Sequence, residues 1–348
     1  MGKKGKVIVK IFITLAIVIG TLYLLQCLLM PKYASGIVEG AFIAEYYQEE
    51  RKDYDVLFVG DCEVYENFSP ITLWQEYGIN SYIRGSAEQY IFQSYYLLED
   101  TLRYHVPKVA IFNIQSLQFD KANSEAYNRM TLEGMEWSSS KVNAIQASMK
   151  EDEEFLDYVF PILRYHTRWS ELTTDDVKYM FDSPKVSHNG YYMRVDVKPV
   201  TSIPPKRILA DYSFGDNAWK YLDKMTKLCE ENNITLILIK APSVYPHWHD
   251  EWDVQVQEYA DKHNLRYINF LELVEETGLD YSTDTYDAGL HMNLSGAEKL
   301  AKYLGKILAE EYQVPDRRND EAWNVIWQEK IAFYEAEIER QKEKYGID

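Results

Sequence analysis

Three cysteines in a chain of 348 residues are too few for the disulfide framework that holds small secreted domains together. Cys27 falls inside an uncharged apolar run, which leaves Cys62 and Cys229. Cys62 follows an expected strand, and Cys229 lies late in a helical pattern set by Trp219, Leu222, Met225 and Leu228, so no pairing is expected. An unpaired thiol in an oxidising compartment points to chemistry as well as packing. Positive charge is also scarce. With 37 Lys and Arg against 55 Asp and Glu the net charge is −18, and without a basic face the soluble part has nothing to hold phosphates. Nucleic acid is excluded as a partner. Histidine is sparse, and the one close pair, His247 and His249, has no identifiable third ligand, so neither a metal nor a cofactor is expected. Tyr245 and Trp248 around that pair read instead as a wall of a substrate groove. No repeat with a period of about 20 to 50 residues is visible.

What the chain does have is a topological signal at its start. Lys3, Lys4, Lys6 and Lys10 precede residues 11–30, which carry no charge, and Pro31 and Lys32 close the run. About 20 apolar residues in a helix span a bilayer core of roughly 30 Å, longer than the apolar stretch of a cleavable signal. The expectation is an uncleaved anchor. Lysines before the span keep the N-terminus cytoplasmic and send everything after Lys32 across the membrane. The alternative is a cleaved signal peptide cut near Ala34 and Ser35. Leu24-Leu25-Gln26-Cys27 has no small residue before the cysteine, which argues against a lipoprotein.

Beyond the anchor, short β-rich runs alternate with helical periodicity, the pattern of a parallel sheet covered by helices on both faces. Strands are expected at 56–59, 81–83, 109–114, 235–240 and 267–269, in the sheet order 2-1-3-4-5. Helices are expected at 88–104, 217–231, 252–263 and 295–312. More than 100 residues separate the third and fourth strands, so roughly 120–212 is an insertion with structure of its own. A lid or substrate platform and a helical cap without a ligand both fit it. Residues 320–345 form a charged helix with Trp323, Trp327, Ile331, Tyr334 and Ile338 along one stripe. That stripe suits packing on its own domain or binding a partner. The chain therefore divides into a cytoplasmic tip and anchor (1–32), an α/β domain with its insertion (33–315) and a C-terminal amphipathic helix (316–348).

The chemistry is expected beyond the carboxyl ends of the strands, where open α/β sheets bind ligands. The first strand runs into Gly60-Asp61-Cys62-Glu63, and the late segment 287–293 supplies Asp287, a glycine hinge at Gly289 and His291. These blocks resemble the SGNH (GDSL-like) hydrolase family, in which a first-strand Gly-Asp-Ser or Gly-Ser-Ser carries the nucleophile and a late Asp and His complete a triad. Gly60-Asp61-Cys62 matches with cysteine for serine, and Asp287 and His291 match with one extra residue between them. Gly85 fits the second block. The third block, Asn113-Ile114-Gln115-Ser116, has no clear Gly-x-Asn-Asp.

The resemblance spans about 55–312. It implies a flavodoxin-like three-layer fold with a five-stranded parallel sheet. It also implies a thiol nucleophile at Cys62, His291 as base and then acid, and Asp287 holding the imidazole. The oxyanion would meet the backbone N–H groups of Cys62 and Gly85, with the Gln115 amide as third donor. Glu63 would oppose thiolate formation if it points inward. An N-terminal anchor before an external domain of this type is similar to bacterial envelope proteins that move acyl groups onto wall polymers or exported glycans. That likeness implies an acylated glycan or polymer as substrate and a membrane acyltransferase as candidate partner. The alternative is an inactive protein of the same fold that binds such a polymer or scaffolds the envelope. Asn67, Asn233 and Asn293 match the glycosylation pattern, and the last lies in the expected site, which favours a bacterial origin.

Overall fold

α1 (Lys3–Leu29) is one apolar helix, about 40 Å long at 1.5 Å per residue. It is long and apolar enough to cross a membrane, a length and composition that also suit a signal sequence. The computed structural model describes residues 2–31, 39–181 and 184–347; Lys32, Ala34 and Ser35 lie outside the described residues. α2 (Glu39–Gln48) buries Phe42, Ile43 and Tyr46 against the sheet.

The sheet begins with β1 (Val56–Gly60), whose residues are all buried, and the chain turns at once into α3 (Cys62–Tyr65) and then α4 (Pro70–Tyr77). Asp61 caps α3 by accepting from the Glu63 N–H at 3.2 Å. β2 (Ser81–Gly85), α5 (Ile91–Thr101) and β3 (Val109–Asn113) follow. β3 stops one residue short of expectation because Ile114 begins a 3-10 turn, Ile114–Gln118. α5 starts three residues later than expected. Glu88 sits in the left-handed region at φ 48°, and the Gln93 side chain accepts the Tyr90 N–H at 3.0 Å to start the helix there.

The insertion contains α6 (Glu125–Gly134), α7 (Ser139–Ser148), α8 (Phe155–Val159), α9 (Ile162–Tyr165), a 3-10 turn (His166–Ser170) and α10 (Thr174–Lys178). α6 packs on α2 and α7 on α5. An extended segment then returns over the sheet: the Asn189 carbonyl accepts from the Ile83 N–H at 3.0 Å and so covers the edge of β2. The two ends of the insertion meet where Asp120 accepts the N–H groups of Asn217 and Ala218 at 2.7 and 3.1 Å. That carboxylate starts α11 (Asp216–Glu231).

β4 (Thr235–Lys240), α12 (Asp250–His263), β5 (Arg266–Asn269), α13 (Val274–Thr277) and α14 (Leu294–Glu310) complete the α/β unit. All five strands are parallel, as the hydrophobic patterning predicts, and they lie in the order β2-β1-β3-β4-β5 expected of a flavodoxin-like sheet. α15 (Glu321–Tyr345) lays Trp323, Trp327 and Tyr334 against its own domain. Trp327 stacks on Trp74 with ring centroids 4.9 Å apart and donates its indole N–H to Asn80 at 3.0 Å.

Candidate functional site

Cys62 is the first residue after the turn that ends β1. Gly60 makes the turn possible, since a Cβ there would meet Val64 Cγ2 at 2.5 Å. On the neighbouring strand Gly85 is register-paired with Gly60, and a Cβ on it would lie 3.0 Å from the Gly60 carbonyl oxygen. Gly85 therefore sits directly beside the turn that carries Cys62.

His291 arrives from the loop before α14. Asp287 holds it twice: one carboxylate oxygen accepts the His291 backbone N–H at 2.8 Å and the other meets Nδ1 at 2.7 Å. The extra residue in Asp287-x-x-x-His291 is absorbed by left-handed backbone at Ala288 and Gly289, φ 68° and 94°. Asn67 ties this loop to the segment after α3 by accepting the Met292 N–H at 2.8 Å.

The thiol and the imidazole lie close enough for each to move the other's proton affinity. His291 Nε2 is buried and makes no well-directed hydrogen bond to a described residue. Gln115 follows β3 on the turn that packs against the ends of β1 and β4. Its amide is buried with neither polar atom bonded to a described residue. Buried polar atoms without partners are uncommon and call for an explanation such as a ligand or a functional role. Asn113, by contrast, is fully engaged. It donates to Asp61 and Glu63 at 3.0 and 3.1 Å and accepts from Ala241 N–H at 3.1 Å.

Glu63 does point inward, but it is paired. Lys240, wholly buried at the end of β4, holds its carboxylate at 2.7 and 3.0 Å. The acid closest to the imidazole after Asp287 is one that sequence reasoning passed over. Glu66 lies 3.7 Å from His291 Nδ1 and accepts the Tyr286 hydroxyl. The Tyr286 ring is near-parallel to the imidazole at 6.1 Å, and the Arg194 guanidinium carbon lies 4.5 Å from the centre of the Tyr286 ring. The signal available was the spacing Cys62-x-x-x-Glu66, which places both on one side of a helical turn.

These charges set the resting protonation. Cys62 keeps part of its surface open, yet dense surrounding protein pushes its thiol up to about 12, with the Asp61 and Glu66 carboxylates adding to the shift and His291 opposing it. For His291, burial alone works against the charged ring. The Glu66 carboxylate, the Cys62 sulfur and the Asp287 hydrogen bond outweigh burial and lift it well above its usual value. Burial and Glu63 raise Asp61 to about 7. Both shifts are upward, so the thiol and the imidazole each hold a proton more tightly than the free groups do.

The other sequence candidates fall elsewhere. Trp248 is mostly buried, packing at 6.0 Å from Phe214 and 5.3 Å from Trp252, and its remaining surface borders a cleft with Ser243, His247 and Asn269. Phe214, Trp248 and Trp252 make a small core there, and Tyr245 stays exposed. His247 engages the Pro204 carbonyl and His249 packs edge-on to Trp252. No metal-holding group of three His, Cys, Asp or Glu occurs among the described residues. Cys229 is buried, and burial raises its thiol to about 12. No family model matches this chain, and no curated protein matches it significantly.

Proposed function

We propose that the chain is a membrane-anchored, extracytoplasmic esterase or O-acyltransferase of the SGNH type that uses Cys62 as nucleophile on an acylated envelope glycan or polymer. One observation carries the reading: a thiol at the carboxyl end of the first strand lies near enough to His291 to feel its charge, and Asp287 holds Nδ1 of that imidazole at 2.7 Å. The flavodoxin-like three-layer assignment belongs to the same proposal and draws support from the strand order β2-β1-β3-β4-β5. An external site follows from the lysines that precede α1.

In this mechanism the pair loses one proton and the Cys62 thiolate attacks the acyl carbonyl. A carbon–sulfur bond forms, the bond to the leaving alcohol breaks, and His291 gives that alcohol its proton. His291 then takes the proton of water or of an acceptor hydroxyl, whose oxygen attacks the thioester and frees the thiolate. Asp287 holds the imidazole orientation throughout. In this reading the Cys62 and Gly85 N–H groups and the Gln115 amide would supply the oxyanion donors, where one lost donor costs roughly 100- to 1,000-fold in rate.

A thiol held up to about 12 beside Asp61 and Glu66 favours a second reading, an inactive protein that binds the polymer. Turnover of a chromogenic acyl ester by the full-length protein separates the two. The enzyme reading expects turnover that rises with pH, is lost in Cys62→Ala and mostly lost in His291→Ala, and is kept in Cys229→Ala. An inert wild type alongside an active Cys62→Ser variant would establish the binding reading.

A further inference from the structure

The last turn of α1 does not stand alone. From Val7 to Leu25 its large apolar side chains are exposed, and from Gln26 onward the side chains are covered by protein. That exposed stretch is about 27 Å long at 1.5 Å per residue, close to the roughly 30 Å of a bilayer's hydrocarbon core. The cover comes from the insertion: α9, the His166–Ser170 turn and α10 all pack on α1. Arg168 donates to the Leu29 carbonyl at 2.6 Å and pairs with Asp176 at 3.2 Å, which fixes the collar to the helix end.

This collar exposes large apolar side chains. Trp169 is 72% and Phe181 80% exposed, and Leu156, Phe160, Leu163 and Val177 are each half exposed or more. Single exposed apolar residues are ordinary, but a group confined to 156–181 marks an interaction surface. Elements touching the end of a membrane span lie at the depth of the headgroups, where Trp and other aromatic side chains concentrate. We infer that the helical insertion from α8 to α10 is a membrane-surface platform that seats the domain on the leaflet into which α1 emerges. The inference rests on α1 being a membrane span and is independent of any activity at Cys62. It also gives the insertion a role that neither a substrate lid nor a ligand-free cap describes.

The test uses the full-length chain in nanodiscs of phosphatidylcholine and phosphatidylglycerol. An environment-sensitive fluorescent amino acid replaces Trp169, Phe181, Leu15 or Val254, one at a time; Val254 is an exposed residue of α12. Lipids carrying a nitroxide near the headgroup, or deep in the chain, act as quenchers. The platform predicts blue-shifted emission and strong loss with the shallow quencher at 169 and 181, loss with the deep quencher at Leu15, and neither at Val254. Quenching at Leu15 with positions 169 and 181 behaving like Val254 keeps the span and overturns the platform. No quenching at Leu15 removes the span and the platform together. A blue shift at 169 or 181 that grows with protein concentration in detergent, without lipid quenching, assigns the face to a second copy and likewise overturns the proposal.

Discussion

Replacing Glu66 with glutamine should lower the pH at which Cys62 becomes reactive. Its carboxylate lies 3.7 Å from His291 Nδ1 and raises the proton affinity of both His291 and Cys62. Two unit charges at that separation interact by about 4 kcal/mol at an effective dielectric of about 20, equivalent to roughly three pH units. That coupling bears on His291; on Cys62 the Glu66 carboxylate acts more weakly than burial, His291 or Asp61, so the Cys62 midpoint should move down by only a fraction of it. Glutamine keeps an acceptor for the Tyr286 hydroxyl, so the packing around the imidazole survives. The assay is the rate of Cys62 alkylation by iodoacetamide against pH, read by peptide mass spectrometry with buried Cys229 as internal control. Wild type should react slowly at neutral pH, with its rate still climbing in the alkaline range. A Glu66→Gln midpoint that stays in place, or moves upward, refutes the electrostatic account of the pair.

Stability should fall as pH rises. Burial lifts Glu45 from 4.5 to about 7, so between those values the folded chain keeps a proton that the unfolded chain has released, worth about 3 kcal/mol in all. Asp61 and His291 are also raised and act with the same sign, the latter above its unfolded value of 6.5; buried His188, lowered to about 3, opposes them only below 6.5, so thermal unfolding midpoints at about pH 6.5 above those at about pH 8 would bear this out, and the reverse order would contradict it. Lys240→Met leaves the buried Glu63 carboxylate unpaired and should cost about 3 to 5 kcal/mol in denaturant unfolding, with Glu63→Gln in the same chain recovering part of it. Trp327→Ala removes the Trp74 stack and the bond to Asn80 and should cost about 3 to 5 kcal/mol. Gly85→Ala places a Cβ 3.0 Å from the Gly60 carbonyl oxygen, so acyl turnover should drop far more than the unfolding midpoint.

The sheet was readable because buried parallel strands are short continuous apolar runs, and β4 came out at its exact expected bounds, Thr235–Lys240. Element ends were less readable where side chains outside the run decide them, as with the Gln93 cap of α5 and the Asp120 cap of α11. Asp287 and His291 could be nominated from their motif, and the geometry brings them together through a loop bent at Ala288 and Gly289. Lys240 was a legible oddity, a lysine ending a strand otherwise made of apolar residues and Thr235. Its partner 177 positions away was not. Trp248 does both things an aromatic cluster can do, filling the core against Phe214 and Trp252 and bordering a cleft that Tyr245 does not reach. The collar on α1 was hidden because α8, α9 and α10 are too short for helical periodicity to reveal which face is covered.

If the Cys62 sulfur carries the acyl group, acid-quenched peptide mass spectrometry will find it there after full-length protein is mixed with p-nitrophenyl acetate at alkaline pH. The account predicts an acetyl group on the Cys62 peptide that neutral hydroxylamine removes, absent in Cys62→Ala and persisting longer in His291→Ala than in wild type. An unmodified Cys62 across the pH range, together with rapid ester turnover by Cys62→Ser, would contradict it.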